Sequence, residues 1–436
     1  MLLGYYLGKD GYRPVILEKE AILGGLAASY KIDGFFIDRY YHYFLSRDTC
    51  IVELLKDLGL SSEIIWRKAK VGLFSFAGVE FLGYLSKSRV NTYSSGWDFL
   101  TDRELSIGDK ALLGKIFLKI LSLKNIKEIE NITAKEWIVK TGNLKIYEKI
   151  FEPILFAKWG QRRFDISASW LVARLGARMD FKKCFRLNEY IGYPRRSFGS
   201  ISARLEDEIT DYGGTVIKNA EVVEIMSDRD MGLEGIVYIS GGEKKHIPAK
   251  FAVSTIPLQR LTKIASFPEE VSDRYNKIEH QRVVCACLGL KKPLTKVLNI
   301  VSLPHCALFN GIVEHTNIVP RKMYNNQVIV YLFKYLHDRK EEWEWSDQEI
   351  INRWTDELAV LFPSFKKTDL LWSRVHKDDA NEPVSIVNYS QAIPALTTPI
   401  KGLFLGGLFR LPYIQDCNHL IKLAQKDAGE IKSRLS

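Results

Sequence analysis

Residues 1–30 constrain the fold more than any other stretch of the chain. Residues 1–9, MLLGYYLGK, are apolar on one side and predict a helix that ends at the following DGY. RPVILEK then predicts a buried strand ending in Glu18, and Gly24–Gly25 follow in a loop of small residues. This order is typical of the later part of a βαβ unit that binds a dinucleotide, in which the acid accepts hydrogen bonds from ribose hydroxyls.

The first strand and the phosphate loop of such a unit are expected to lie before Met1. The pyrophosphate rests on a glycine-rich turn at a helix N-terminus, where unpaired N–H groups favour negative charge. That turn precedes the ribose acid by about 20 residues, and counting back from Glu18 passes the first residue. A truncated gene model and a real deletion both account for this expectation. The alternative for Glu18 is a solvated acid at a strand end, which the nearby glycine pair disfavours.

The last part of the chain carries a second glycine turn. GLFLGGL (402–408) predicts a strand that enters Gly406–Gly407, and HLIKLAQKDAGEIKSRL predicts a closing helix. The start of that helix could offer N–H groups to a second part of the same cofactor, with Asp416 or Asn418 as its cap. The alternative is an ordinary capped helix.

The pattern between these ends predicts an α/β fold, α+β overall. A chain of 436 residues with 46% hydrophobic residues can form one large or two moderate domains with a sizeable core. Helical periodicity is found at 51–60, over most of 104–150, and at 200–212 and 347–362; strand-like runs are found at 215–225, 235–240, 250–257 and between 280 and 335. Because the two patterns interleave, we expect a second domain that is inserted rather than appended.

Charge and cysteine content limit the classes of partner. The net charge of +10 could attract nucleic acid, an anionic membrane or a phosphorylated substrate. The basic residues are spread along the whole chain, so a mildly basic surface is favoured and no nucleic acid is expected.

Six cysteines without a secretory signal pattern fit reduced thiols in the cytoplasm. Cys285 and Cys287 would share one strand face and pack in the core, and no metal site is expected.

Two segments hold polar residues that could act on a substrate. They are DRYYHYF, with Asp38, Arg39, Tyr41 and His42, and EHTN, with Glu314, His315 and Asn317. His42 or His315 could serve as a general acid or base near neutral pH. For each, a structural histidine bonded to backbone is the favoured interpretation.

Basic residues give three further candidates. Lys158, followed by Trp159 in FAKWG, could reach a substrate pocket, although a helix end without an active role fits equally. Arg195 and Arg196 could clamp an anionic substrate, or they could be surface charges.

Residues 111–127, ALLGKIFLKILSLKNIK, have the composition of a helix that lies on a membrane surface. Lys115 and Lys119 fall on one face, and Lys124 and Lys127 follow. A core-facing helix with its lysine stripe in water is the favoured alternative. No run of about 18 apolar residues occurs, so no membrane-spanning helix is expected.

Over nearly the entire chain these segments resemble FAD-dependent oxidoreductases of the amine oxidase and protoporphyrinogen oxidase type, within the NAD(P)/FAD-binding Rossmann superfamily. The similarity is greatest to a bacterial and archaeal branch found with polysaccharide-synthesis genes. It is carried by VILEKEAILGGLAASYKIDGFFIDRYYHYF, FEPILFAKWG, YPRRSFGSISARLEDEITDYGGTVIKNAEVVEI and GLFLGGL with YIQDCNHLIKLAQKDAGEI.

The resemblance implies a role for each matching position. Glu18, with Lys19 beside it, would hold the adenosine ribose, and Val222 would present backbone to the adenine. The remaining cofactor contacts would come from Gly24, Gly25, Leu26, Thr255, Pro257, Gly406, Gly407, Gln415 and Asn418. Residues 1–45, 190–260 and 385–436 would form a Rossmann-like FAD-binding domain, with 46–189 and 261–384 as the substrate domain.

The resemblance also implies a reaction, and it leaves alternatives. Such an enzyme would move a hydride from a substrate C–H bond to the flavin. The substrate would be a small molecule, either lipid-linked or from polysaccharide metabolism. The catalytic candidates would be Tyr41, His42, Lys158 and His315. Gln415 and Cys417 depart from the family's C-terminal motif. The alternatives are a non-redox flavoenzyme similar to UDP-galactopyranose mutase and a truncated, non-catalytic homologue. A cytoplasmic location is expected, with membrane-peripheral contact as an option, and the oligomeric state stays open.

Overall fold

The computed structural model describes residues 1–68, 105–177, 190–296, 308–336 and 341–435, together with the backbone of 71–75, 89–93 and 299–301. The helices of this part are α1 Leu2–Lys9, α2 Thr49–Asp57, α3 Ile107–Ser122, α4 Ala134–Thr141, α5 Leu144–Ile146, α6 Glu152–Trp159, α7 Ala168–Gly176, α8 Gly199–Asp211, α9 Leu258–Ile264, α10 Glu269–Asn276, α11 Glu341–Glu344, α12 Asp347–Leu361, α13 Tyr389–Ala392 and α14 Cys417–Leu435.

The strands of the described part are β1 Val15–Leu17, β2 Ser29–Ile32, β3 Phe35–Asp38, β4 Phe44–Leu45, β5 Ile64–Lys68, β6 Val71–Ser75, β7 Arg89–Tyr93, β8 Tyr190–Pro194, β9 Thr215–Ile217, β10 Glu221–Ser227, β11 Leu233–Ser240, β12 Glu243–Pro248, β13 Ala252–Ser254, β14 His280–Leu290, β15 Asn299–Val301, β16 Gly311–Glu314, β17 Val328–Leu336, β18 Leu370–Pro383 and β19 Leu403–Leu405.

Two short parallel pairs hold the segments that the sequence assigns to a dinucleotide unit. β1 pairs with β9, and β13 pairs with β19. Helix α1 packs against α8 on one side and against α14 on the other. The parallel pairing and the surrounding helices confirm the Rossmann-like character predicted from the terminal segments.

A mixed sheet of seven strands forms the second part of the fold. Its strand order is β18-β14-β17-β16-β15-β6-β7, with β14 antiparallel to both β17 and β18. Cys285 and Cys287 lie on one face of β14, buried in the largest core cluster, as predicted. Smaller antiparallel sheets pair β11 with β10 and β12, β8 with β4 and β5, and β2 with β3.

Helix starts follow ordinary capping rules. Ser106 begins α3 with a capping box, because its Oγ accepts from the Asp109 N–H at 3.1 Å and the Asp109 carboxylate accepts from the Ser106 N–H at 3.2 Å. Ser346 caps α12 through a single hydrogen bond, in which its Oγ accepts from the Glu349 N–H at 3.2 Å. No helix in the described ranges is long and apolar enough to cross a membrane.

Two features differ from the sequence expectation. The run 215–225 is not one strand, because the chain turns at Ala220, whose N–H donates to the Glu18 carbonyl. The sequence analysis also missed β18, the longest strand among the described residues. Cys184 and Cys306 lie outside the described residues, and so does part of the strand-like run HCALFNGIV.

Candidate functional site

Glu18 lies directly after β1, close to the first turn of α1. Its N–H donates to the Ile217 carbonyl at 2.9 Å, and its Oε1 accepts from the Glu20 N–H at 2.9 Å. Ile16 of β1 packs on the first turn of α1, because a Cβ on Gly4 would lie 2.6 Å from Ile16 Cδ1. β1 therefore brings the acid at its end close to the start of α1, while Lys19 beside the acid is exposed.

Gly24 and Gly25 form a left-handed turn, with φ of +113° and +57°. A Cβ on Gly24 would lie 2.8 Å from Ser202 Oγ of α8, so this position excludes a side chain. A Cβ on Gly25 would meet nothing within 4 Å, and Gly25 is exposed. Gly24 thus serves packing, whereas Gly25 leaves its backbone open to a flat ligand. Leu26, which follows, is half-buried at the margin of the main core.

The second glycine turn brings the end of the chain to α1. The Gly406 N–H donates to the Ser254 carbonyl at 2.8 Å, and a Cβ on Gly406 would lie 2.9 Å from Leu3 Cδ1. Gly407 has φ of +125°, and a Cβ there would lie 3.4 Å from the Thr255 carbonyl oxygen. The segments near Glu18 and near Gly406 therefore both meet the first turn of α1.

Val222 and Pro257 lie in the elements around β19. Val222 is half-buried in β10, opposite Tyr238 of β11, and it packs on the hydrophobic cluster that contains Leu405 of β19. Pro257 is the residue before α9, and its carbonyl accepts from the Leu261 N–H. Val222 therefore borders the core next to β19, whereas Pro257 marks the start of α9.

The start of α14 carries the caps of two helices. Asp416 caps the helix, since its Oδ1 accepts from the His419 N–H at 2.8 Å. Asn418 instead caps α2, because its Oδ1 accepts from the N–H groups of Cys50 at 2.9 Å and Ile51 at 3.3 Å. One of the two proposed caps thus serves α14, and the other fixes α2 to it.

Gln415 is buried just before this helix. Its Nε2 donates to Ser385 Oγ at 3.1 Å and to the Leu411 carbonyl at 3.0 Å. Its Oε1 is buried and has no hydrogen-bond partner within the part of the chain that the structure describes. A buried acceptor without a donor is costly, so this oxygen is available to a donor that arrives with a ligand.

An aromatic group lies after the first glycine turn. The Tyr41 hydroxyl is 3.0 Å from the Tyr335 hydroxyl, and the Tyr41 ring is 4.8 Å from the Phe333 ring. His42 Nδ1 lies 2.8 Å from the Tyr40 carbonyl oxygen, so the proton belongs on Nδ1. Burial lowers the pKa of His42, which keeps this imidazole neutral near pH 7.

Lys158 lies above the Tyr335 ring, with Nζ 3.7 Å from the ring centroid. Its ammonium also pairs with Glu382, a buried residue of β18 that Arg174 contacts at 3.2 Å. Burial would raise the pKa of Asp416 at the start of α14, but its hydrogen bonds with His419, together with the positive charge of Arg174, lower it. Lys158 therefore belongs to an ionic cluster between the aromatic group and the C-terminal segment.

Glu382 and Tyr335 are functional candidates that the sequence analysis missed. Glu382 stands in the polar run KDDANEP, which gives no strand signal, and its partners lie far away in the chain. Tyr335 stands in a predicted strand, but only the fold brings its hydroxyl to Tyr41.

Asp38 and His315 belong to a buried network. The Asp38 carboxylate accepts from Ser29 Oγ at 2.5 Å, the Phe198 N–H at 3.0 Å and the Tyr193 hydroxyl at 2.7 Å. Burial raises the pKa of Asp38 to about 7, although these hydrogen bonds lower it in part. His315 Nε2 lies 2.7 Å from the Tyr324 hydroxyl, and burial lowers the pKa of His315 to about 3.

The remaining polar candidates lie apart from these contacts. Glu314 accepts from the Leu294 and Thr295 N–H groups, and burial raises its pKa to about 7. Asn317 Nδ2 donates to the Thr295 carbonyl. Arg39 pairs with Glu20 at 3.4 Å. The side chains of Arg195 and Arg196 are exposed in the turn after β8.

Similar proteins include curated relatives and solved structures. A 15-cis-phytoene desaturase of an Oncidium hybrid cultivar is 22% identical over 427 residues, covering 92% of this chain and 70% of the relative. The phytoene desaturase of Synechococcus elongatus is 23% identical over 273 residues, covering 59% of this chain and 55% of the relative.

Solved structures share the fold. An oxidoreductase from Methanosarcina mazei has a TM-score of 0.71 at 16% identity, covering 99% of this chain and 97% of that one. A putative protoporphyrinogen oxidase from Exiguobacterium has a TM-score of 0.70 at 13% identity, with 99% and 96% covered. A reduced UDP-galactopyranose mutase has a TM-score of 0.72 at 12% identity, with 99% and 93% covered.

The family assignment rests on the sequence itself. Residues 3–409 match the family described as flavin containing amine oxidoreductase, and this range includes the first glycine turn, Tyr41, Lys158 and the second glycine turn. The chain therefore belongs to the flavin-containing amine oxidoreductases, which are FAD-dependent enzymes.

Proposed function

We propose that this FAD-dependent oxidoreductase takes a hydride from a substrate C–H bond at the junction of its N-terminal and C-terminal segments. The observation that carries the proposal is that the strand ending at Glu18 and the Gly406 turn both pack on the first turn of α1: a Cβ on Gly4 would lie 2.6 Å from Ile16 Cδ1, and one on Gly406 would lie 2.9 Å from Leu3 Cδ1. Residues 1–45, 190–260 and 385–436 are proposed as the cofactor-binding part, and 46–189 with 261–384 as the substrate part.

The residues at this junction fit a flat nucleotide cofactor. Gly25 exposes backbone with open space around its α-carbon, and the buried Gln415 Oε1 can accept a hydrogen bond from a ligand. Glu18, at a strand end beside a helix start, suits a ribose diol. These groups, with the Gly406–Gly407 turn, would hold FAD.

The bound flavin would supply the hydride acceptor. The chain itself would supply position and a dry environment through the rings of Tyr41, Phe333 and Tyr335. Neutral His42, protonated on Nδ1, can accept a substrate proton at Nε2. Lys158 would hold a fixed positive charge beside the aromatic group, because Glu382 keeps its ammonium there.

The substrate class is the finer part of the proposal. The aromatic lining favours a substrate with an apolar surface, as the phytoene desaturase relatives also suggest by name. A lipid-linked substrate, including one from polysaccharide synthesis, agrees with that lining. A mutase-type reaction would use Arg195 and Arg196 to clamp an anionic substrate. Their exposed position does not support that role.

The test compares three glycine variants of the purified protein. Gly25→Ala should lower the bound flavin, measured by visible absorbance and by FAD released on denaturation, because a methyl group would obstruct the backbone surface. Gly241→Ala is the matched control, since Gly241 also has positive φ, at +63°, and open space. Each substitution costs about 1 kcal/mol of backbone strain, so their stabilities should match while their flavin contents differ.

Gly24→Ala should lower stability as well, because its Cβ would meet Ser202 and the Ala28 backbone. The proposal is wrong if the protein is colourless and stays so when FAD is added. Equal flavin content in the Gly25→Ala and Gly241→Ala variants would contradict the proposed contact.

A further inference from the structure

One face of α3 exposes apolar side chains. Ile107 is 87% exposed and Leu118 is 65% exposed, and Ala111 and Gly114 between them are exposed as well. Their spacing of four, three and four residues places them in one stripe along the helix, about 16 Å long. We call these four residues the α3 stripe.

The α3 stripe is separate from the face by which the helix joins the core. Leu113, Ile116 and Ile120 fill the core cluster that also contains residues of α4 and α7. Asp109 also points to this side, where it completes the cap of the helix and pairs with Lys145 at 3.8 Å. The core face of α3 is therefore already occupied, and the stripe is additional apolar surface.

Positive charge borders the stripe. Lys115 and Lys119 are exposed beside it, and neither has an ion-pair partner among the described residues. Lys124 and Lys127 are exposed just beyond the helix, where the exposed Glu128 follows. Asp109, the one acid of α3, lies on the buried face. The exposed side of α3 thus combines apolar and cationic residues.

We infer that the α3 stripe docks on an anionic lipid bilayer. A helix with an exposed apolar strip and a row of lysines is suited to lie in the membrane interface, where the apolar side chains enter the acyl boundary. The lysines are attracted to anionic headgroups. A second copy of this chain is disfavoured as the occupant, because pairing two stripes would place two lysine rows close together.

The test is cosedimentation of the purified protein with phosphatidylcholine vesicles, with and without phosphatidylserine. The protein should bind the phosphatidylserine vesicles more strongly. Ile107→Ser with Leu118→Ser should lower the partition coefficient at least about tenfold. The double variant Lys115→Gln with Lys119→Gln should lower the partition coefficient about fivefold for each lysine removed, and only on vesicles that contain phosphatidylserine.

Val360→Ser is the matched control. Val360 is 59% exposed on α12, in a helix that carries acidic residues, so its substitution should leave binding unchanged. Circular dichroism checks the fold of each variant. Because Ile107 and Leu118 are exposed, we expect no change in the spectrum. The inference is overturned if the wild-type protein binds neither kind of vesicle, or if the double serine variant binds as well as the wild type. It is also overturned if that variant changes the oligomeric state instead of vesicle binding.

Discussion

The parallel pairs and the seven-stranded sheet build their parts of the site in different ways. β1, β9, β13 and β19 have three residues each, and Val15 at the start of β1 is 50% exposed. β14, in contrast, has eleven residues and is buried along nearly its whole length. The short strands present turns, helix starts and backbone, whereas the long strands carry side chains such as Tyr335 and Glu382.

Two buried carboxylates, Asp38 at the end of β3 and Glu382 in the seven-stranded sheet, differ in their partners. Asp38, after the first glycine turn, accepts only from neutral donors. Glu382, in the seven-stranded sheet, pairs with the cations Lys158 and Arg174. A neutral environment favours the protonated acid, and a cationic one favours the carboxylate. Asp38 can therefore gain or lose a proton near neutral pH, which leads to the largest expected effect.

Asp38→Asn should remove part of the pH dependence of stability. The folded pKa of about 7 is higher than the ordinary value of 3.8. Between these values the folded chain keeps a proton that the unfolded chain releases, so stability falls progressively as pH rises from about 4 and levels off above about 7. The whole loss would be about 4 kcal/mol, of which about 3 kcal/mol falls between about pH 5 and about pH 8.

The measurement is urea unfolding of both proteins at about pH 5 and about pH 8. The wild type should lose stability relative to Asp38→Asn at the higher pH. Asp57→Asn, at a half-exposed carboxylate of α2, is the control and should keep the wild-type pH slope. An unchanged slope in Asp38→Asn would show that this carboxyl does not titrate in the fold.

Glu382→Gln should have the next largest effect. It would leave Lys158 and Arg174 facing each other without their shared carboxylate, at a cost of about 3 kcal/mol. Glu349→Gln, which breaks an exposed pair with Arg353 on α12, should cost about 0.5 kcal/mol. Urea unfolding at pH 7 measures both, and equal costs would mean that the Glu382 cluster is no stronger than a surface pair.

The smallest effect compares two helix caps. Asn418→Ala and Ser346→Ala remove the caps of α2 and α12, and each should cost about 1 kcal/mol. Only Asn418→Ala should also lower the flavin content, because Asn418 fixes α2 to the start of α14. Thermal unfolding and flavin absorbance separate the two effects. A loss of flavin in both variants would argue for a general effect of stability.

The two regions also differ in how well the sequence predicts them. Glycine turns, a strand-end acid and helix caps are local signals, so Glu18, Gly24–Gly25, Gly406–Gly407 and the Asp416 cap were predicted from short segments. β18 was not predicted, because its last part, KDDANEP, is polar and receives its strand geometry from pairing with β14.

Contacts within the candidate site were harder to predict than its segments. Tyr41 meets Tyr335 across 294 residues, and Asn418 meets Cys50 across 368. Such pairs leave no local pattern, because neither partner differs in type from an ordinary core or surface residue. The family resemblance identified the segments that form the candidate site, whereas only the folded structure shows which residues in them contact each other.

The packing of α14 on α1 has a consequence for biosynthesis. Leu7 of α1 lies in one cluster with Ala428 and Ile431, and Lys432 pairs with Asp10 at 3.0 Å. Helix α1 therefore completes its packing only when α14, near the other end of the sequence, is present. Domains generally fold during translation from the N-terminus, but this contact forms only after α14 has been translated. The proposed cofactor junction, which includes α1, is complete no earlier than that.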